Sequence, residues 1–241
     1  MMTRSTKKAV QVAGSVIAIL IVLSLALPAM AEMLRHTDVQ THDLSPEISV
    51  LEVTADVGDI EVHVVARDEV PRAIARVESS FVTPEVRVDA ATETATLAGS
   101  CPGMNWLQVC AVNWVVMVPA DTSVTVRSDV GDIRITALAG EVSATSSVGD
   151  VVVRESASTS LSLHSSVGDV TLVSTVPPEK VRAASSTGDV RVSVPRDGTT
   201  YDVTLDTSVG DLTNSLGSDP TSSRIIDLSS SVGDVTFQHA D

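Results

Sequence analysis

Hydrophobic and polar positions alternate in short runs along most of this 241-residue chain, and the runs are punctuated by one recurring phrase. It reads Asp-Val-Gly-Asp-Ile around Gly58 and Gly131, Ser-Val-Gly-Asp-Val around Gly149, Gly168 and Gly233, Ser-Thr-Gly-Asp-Val around Gly188, and Ser-Val-Gly-Asp-Leu around Gly210. From Gly131 onward successive glycines lie 18, 19, 20, 22 and 23 residues apart, a period that belongs to repeat architectures. Counted from each glycine, offsets −7, −5, −3, −1, +2 and +4 hold small or apolar residues, as in Leu161, Leu163, Ser165, Val167, Val170 and Leu172. Asn214 is the exception. Alternation with period two predicts strands. The parity slips by one across each Gly-Asp, which predicts a corner there, with −1 and +2 both inward.

Glycine supplies the positive φ that a sharp corner needs, and the aspartate after it can accept hydrogen bonds from backbone N–H groups at the turn. Each coil is then strand, corner, strand. One coil buries too few side chains to offset its own ordering, so stability requires stacking at the inter-strand spacing of about 4.8 Å. The expected fold is all-β: a right-handed parallel β-solenoid, single-stranded and β-helix-like, with the hand taken from the general rule for parallel crossovers. Residues 121–241 are its regular repeats, and the coil Ile226 to Phe237 is read as the last. Residues 49–120 form an irregular β portion that begins the stack, because the 73 residues between Gly58 and Gly131 lack the punctuation. Strands are still expected there at Ala73–Val77, Val86–Val88, Thr94–Leu97 and Val112–Val118. Aromatic residues are only 2% of the chain, which suits narrow coils.

Residues 1–31 read as a signal peptide or an N-terminal membrane anchor. Arg4, Lys7 and Lys8 precede an uncharged stretch containing Val16 to Leu23, and Ala29-Met30-Ala31 before Glu32 fits a peptidase site. The same stretch is long enough to span a bilayer uncleaved. Either way the remainder is extracytoplasmic, secreted or anchored to the cytoplasmic membrane by that segment, with 32–48 as a linker. The whole chain carries a net charge of −15. Nucleic acid and bare anionic membrane are therefore excluded as partners, and the membrane is met only through the N-terminal segment. An envelope protein, a wall polymer or a cationic peptide remains, unless the acidity serves solubility alone.

Cys101 and Cys110, nine residues apart around Pro102-Gly103, read as a local structural disulfide in an oxidising compartment. A metal site would need further ligands, and the nearest histidines in sequence are His63 and His164. Trp106 and Trp114 flank Cys110 and read as cap packing or as a surface recognition patch.

The phrase Val112-Asn-Trp-Val-Val-Met-Val-Pro119, then a strand, then Ser128-Asp-Val-Gly-Asp-Ile133 and its further copies, resembles the bacterial putative-adhesin family of β-strand repeats. The resemblance covers Leu51 to Phe237. It implies an exported or membrane-anchored, non-catalytic β-solenoid of the cell envelope, sometimes associated with envelope-stress systems. It carries over no catalytic or ligand residue, and the Cys101–Cys110 insertion departs from it.

The chemistry in the repeats themselves lies in Asp132, Asp150, Asp169, Asp189, Asp211 and Asp234, with Asp59 at the first copy. In a regular stack they form a column about 4.8 Å apart. Calcium would relieve their repulsion, although a cation wanting six to eight oxygens finds only one carboxylate per turn. The competing reading has each aspartate accept from backbone N–H groups and from serines such as Ser147, Ser166 or Ser186, with no metal. No cofactor is otherwise expected. An enzyme is not expected either: H-E-x-x-H, G-x-S-x-G and phosphate-loop motifs are missing, and Arg134, Arg154, Arg182 and Arg191 are scattered on outward positions. A polysaccharide-acting enzyme stays as the formal alternative, and a calcium-stapled surface protein as the structural one. The uncapped final coil is expected to expose a strand edge and to support weak self-association.

Overall fold

The computed structural model describes residues 36–66, 69–80, 83–103 and 109–240. The segment read as signal or anchor helix, and Trp106, lie outside them. The described residues form nineteen strands and no helix. In chain order these are β1 (His36–Asp43), β2 (Val50–Val57), β3 (Ile60–Val64), β4 (Arg72–Ser80), β5 (Glu85–Ala90), β6 (Thr94–Ser100), β7 (Val109–Val118), β8 (Ser123–Val130), β9 (Ile133–Thr136), β10 (Val142–Val148), β11 (Val151–Ser156), β12 (Ser160–Val167), β13 (Val170–Ser174), β14 (Lys180–Thr187), β15 (Val190–Val194), β16 (Asp202–Val209), β17 (Leu212–Asn214), β18 (Ile225–Val232) and β19 (Val235–His239).

They make two sheets. One runs β1-β4-β7-β3-β9-β11-β13-β15-β19-β17, the other β16-β18-β14-β12-β10-β8-β2-β6-β5. Each coil gives one strand to each sheet, and all but the coil of β6 and β7 turn between them at Gly-Asp. Equivalent strands pair in parallel and in register, with one shift between Val153 and Ser156 where β11 meets β13: Leu161 faces Val142 on one side and Val181 on the other. The outer additions run antiparallel, with β4 on β7, β1 on β4 and β5 on β6. Valine is the commonest strand residue, because a branched side chain suits a pleated, half-buried surface. Positions −7, −5, +2 and +4 are buried throughout the interior coils and merge into one core, from Leu51, Val53, Ile60 and Val62 to Ile226, Leu228, Val235 and Phe237.

Three features differ from the sequence expectation. First, the coil of Gly233 is last in the chain but not in space. β18 lies between β14 and β16, and β19 between β15 and β17, so the Gly210 coil is the free end of the stack. This accounts for Asn214: its inward-parity position lies on the terminal coil, where nothing covers it and it is exposed. The exposed edge is accordingly β16 and β17 rather than the C-terminal strand.

Second, the valine at −1 points outward. Val130, Val148, Val167, Val209 and Val232 are 47–63% exposed. The corner begins one residue earlier than the alternation implies, so −2 and −1 both leave the core.

Third, the span between Gly58 and Gly131 holds an additional coil. β2 and β3 pair directly with β8 and β9, while β6 and β7 form a coil on their other side, so the Gly58 coil is an interior one. Both ends of the stack are thus built by inserting a later coil beside an earlier one.

Candidate functional site: the Gly-Asp corner

Each corner glycine has φ between 142° and 150°, and all but Gly58 sit against the carbonyl of the glycine one coil away. A Cβ on Gly131 would lie 2.1 Å from the Gly58 oxygen, and one on Gly149 2.2 Å from the Gly131 oxygen. The coil of β6 and β7 has Val112 where the others have glycine, and a Cβ on Gly58 would lie 2.1 Å from the Val112 oxygen. Register aligns Trp114 with Ile60 and Val116 with Val62, so Val112-Asn113-Trp114 occupies the place of Gly58-Asp59-Ile60. The Val112 side chain is accommodated above Gly99, where a Cβ would meet it at 2.7 Å.

The aspartates form a hydrogen-bond ladder. Asn113 Oδ1 accepts the Asp59 N–H at 2.9 Å, Asp59 Oδ1 accepts Asp132 N–H at 2.9 Å, and Asp132 Oδ1 accepts Asp150 N–H at 2.9 Å. The row continues from Asp150 to the Asp169 N–H at 2.8 Å, from Asp169 to Asp189 at 2.8 Å, from Asp189 to Asp234 at 2.9 Å and from Asp234 to Asp211 at 2.8 Å. In a plain parallel ladder those N–H groups would go to the glycine carbonyls of the neighbouring coil. Because the carboxylates take them, the carbonyls need another donor. They receive it from the hydroxyl at −3: Ser128 donates to Gly58, Ser146 to Gly131, Ser165 to Gly149, Ser185 to Gly168, Ser230 to Gly188 and Thr207 to Gly233, over 2.8–3.1 Å. Aspartate and hydroxyl are therefore one device.

The serines expected to serve the aspartates, Ser147, Ser166 and Ser186, stand at −2, outside the core. Their outward direction follows from the early corner, and the buried residues one position before them do the bonding. The clue lay in composition: −3 is Ser or Thr in all six repeats from Gly131 onward, whereas −2 is Asp129 in one of them. Asn113 gives no signal in the Gly-Asp punctuation, because Val112-Asn113 replaces both letters of the pair.

Among the described residues no three His, Cys, Asp or Glu side chains converge as a metal cluster. The column offers a second carboxylate oxygen from each aspartate, and Arg134 reaches that of Asp132 at 2.7 Å. Arg134, Arg154, Arg182 and Arg191 are all exposed, on separate coils. His63 lies beside Glu61, and His164 on the outer face of the other sheet.

Cys101 and Cys110 are bonded, with Cα atoms 5.9 Å apart. They bridge the ends of the connection between β6 and β7, just ahead of the Val112-Asn113 corner, and the Cys101 N–H donates to Asp56 at 2.9 Å. Trp114 is fully buried in the same coil, between Ile60 and Ala75 in register, as cap packing requires. At the far end Tyr201 stands edge-on to Phe237, ring centroids 5.6 Å apart. Burial, aided by the Asp197 charge, pushes its phenol up to about 12. The Thr221 hydroxyl and N–H hold Asp219 below the usual carboxylate range.

A family model described as Toastrack DUF4097 matches residues 46–240. The chain belongs to that family. The match takes in every coil of the stack, with the Asn113 corner and the disulfide inside it. Among solved structures, a putative cell adhesion protein from Clostridium sporogenes shares the fold at 13% identity and a TM-score of 0.55, covering 85% of this chain and 100% of that one. A putative adhesin from Bacteroides fragilis aligns at 15% identity and a TM-score of 0.47, covering 85% and 97%. Among curated proteins none matches.

Proposed function

We propose that this Toastrack chain is a non-catalytic, extracytoplasmic binding or scaffolding module of the bacterial cell envelope, adhesin-like in role and linked to envelope stress. In this reading the two sheets wind as one right-handed β-solenoid, displayed from the outer face of the cytoplasmic membrane or released after Ala31. The observation that carries it is how the polar groups are spent. The repeated aspartates and buried hydroxyls bind one another's coils, which makes a rigid body. What remains outward is rows of side chains in register on flat sheets, a surface for display. The adhesion names of similar folds agree with it. Partners of this surface would be an envelope protein, a wall polymer or a cationic peptide, and the free edge at β16 and β17 is where we place weak self-association.

Purified protein mixed with envelopes of its own cells tests this: saturable sedimentation with the envelopes is expected, and failure to associate overturns it. The calcium-stapled alternative rests on the second carboxylate oxygens of Asp132, Asp150, Asp169, Asp189, Asp211 and Asp234, that of Asp132 being shared with Arg134. A thermal midpoint raised by calcium over EDTA, and not by magnesium, would establish it.

A further inference from the structure

Two rows along the corner are not required by the fold. The first is aliphatic. Register places Val130 beside Val148, Val148 beside Val167, Val167 beside Thr187, Thr187 beside Val232 and Val232 beside Val209. Five of these residues are among the ten most exposed large apolar side chains described, and all five stand directly before a corner glycine. Thr187 fills the same place in the Gly188 coil, so a hydroxyl is tolerated there. An ordered line of exposed valine has a solubility cost without a folding gain, which is the mark of an interaction surface.

The second row is anionic. The ladder needs only one oxygen acceptor per coil, and Asn113 supplies it with a neutral amide at 2.9 Å, the distance found at Asp59 and Asp132. Negative charge is therefore not what the ladder demands, and carboxylates one strand apart repel each other. Among the described residues Arg134 pairs with the row, at Asp132. The remaining second oxygens of Asp150, Asp169, Asp189 and Asp234 make no ion pair given by the structure.

Valine at −1 and aspartate at +1 flank the same glycine, so the two rows run side by side for five inter-strand steps, about 24 Å. We propose that this corner docks a basic amphipathic segment of a partner protein, with its aliphatic side chains over the valines and its Lys or Arg side chains on the free carboxylate oxygens. The proposal rests on the binding-module reading and names the chemistry of one partner. Charge complementarity selects the occupant: the net charge of −15 repels nucleic acid and anionic lipid and draws in a cationic chain. The row length matches about 16 helical residues at 1.5 Å each.

The test uses the purified protein and a fluorescent leucine–lysine amphipathic peptide of about that length. One variant combines Val148→Ser, Val167→Ser and Val232→Ser, following the hydroxyl at Thr187. Another combines Asp150→Asn, Asp169→Asn and Asp189→Asn, following Asn113. Both keep the ladder, which an unchanged unfolding midpoint verifies. Each is expected to weaken peptide binding about tenfold or more, and a leucine–glutamate peptide is expected not to bind. Equal binding by the valine variant overturns the proposal, because the attraction is then charge alone. Binding of zwitterionic vesicles through the valines, in place of the peptide, also overturns it. The same variants go into the envelope assay: envelope association without peptide binding sinks the corner stripe and leaves the module reading intact, whereas loss of association by the wild type sinks that reading.

Discussion

Replacing Gly168 by alanine probes the corner most directly. The new Cβ would lie 2.3 Å from the Gly149 oxygen, which is backbone and cannot swing aside. Ordinary van der Waals separation is about 3.5 Å, so the two coils must part by about 1 Å. That displacement strains the bonds joining them at the corner: Gly149 N–H to Val167 at 2.9 Å, Val151 N–H to Asp169 at 2.9 Å, Asp169 N–H to Asp150 at 2.8 Å and Ser165 to Gly149 at 2.8 Å. At about 1 kcal/mol net for each, plus about 1–2 kcal/mol for a side chain held at positive φ, the loss is about 5 kcal/mol. The matched control is Gly198→Ala, where φ is 84° and nothing lies within 4 Å of the added Cβ. It should cost only the φ strain, about 1–2 kcal/mol. Urea unfolding followed by far-ultraviolet circular dichroism measures both. If Gly168→Ala is no more destabilising than Gly198→Ala, the close inter-coil approach is not what demands glycine, and the account of the corner fails.

Further outcomes follow from other parts of the stack. Asp169→Ala should destabilise by about 1–3 kcal/mol, because the Asp189 N–H loses its acceptor, while Asp169→Asn should be nearly neutral; equal losses in urea melts would refute the ladder. Tyr201 is the one tyrosine of the chain, so phenolate absorbance reports it alone. The folded state holds its proton more tightly than the unfolded chain, so that contribution is complete below about pH 10 and is lost as pH rises towards about 12. Tyr201→Phe should remove this loss, and a wild-type phenol titrating at its ordinary value would count against the burial. Self-association should run through β16 and β17, so Leu205→Lys or Thr207→Pro should abolish any concentration-dependent sedimentation; dimers that persist in both variants would place the contact elsewhere.

Much of this molecule was legible in the sequence for a physical reason. A coil that repeats its inward positions writes them as a pattern, and a corner held by glycine in every coil but that of β6 and β7 writes itself as a recurring letter. What was not legible has equally physical causes. Parity along a strand states which face a residue takes and says nothing of which coil lies beside it. The insertion of β18 and β19 before the Gly210 coil is therefore invisible in the alternation, although the connection over residues 215–224 between β17 and β18 is long enough to step over a coil. Val112-Asn113 escaped because an amide replaces the carboxylate and the glycine is exchanged for a bulky residue housed above Gly99. The outward valines are not marked by hydrophobicity, because at the corner the backbone turns one residue early and carries an apolar side chain out of the core.

The insertion at the C-terminal end has a consequence for biogenesis. As the chain emerges in order, the Gly210 coil appears before the strands that will hold it, and its place beside the Gly188 coil must stay vacant until β18 and β19 arrive. β18 and β19 act as a keystone: a chain without them loses its bridge and leaves the Gly210 coil without its neighbour. Closure of the stack thereby waits on β18 and β19, and a copy lacking them presents an unpaired coil.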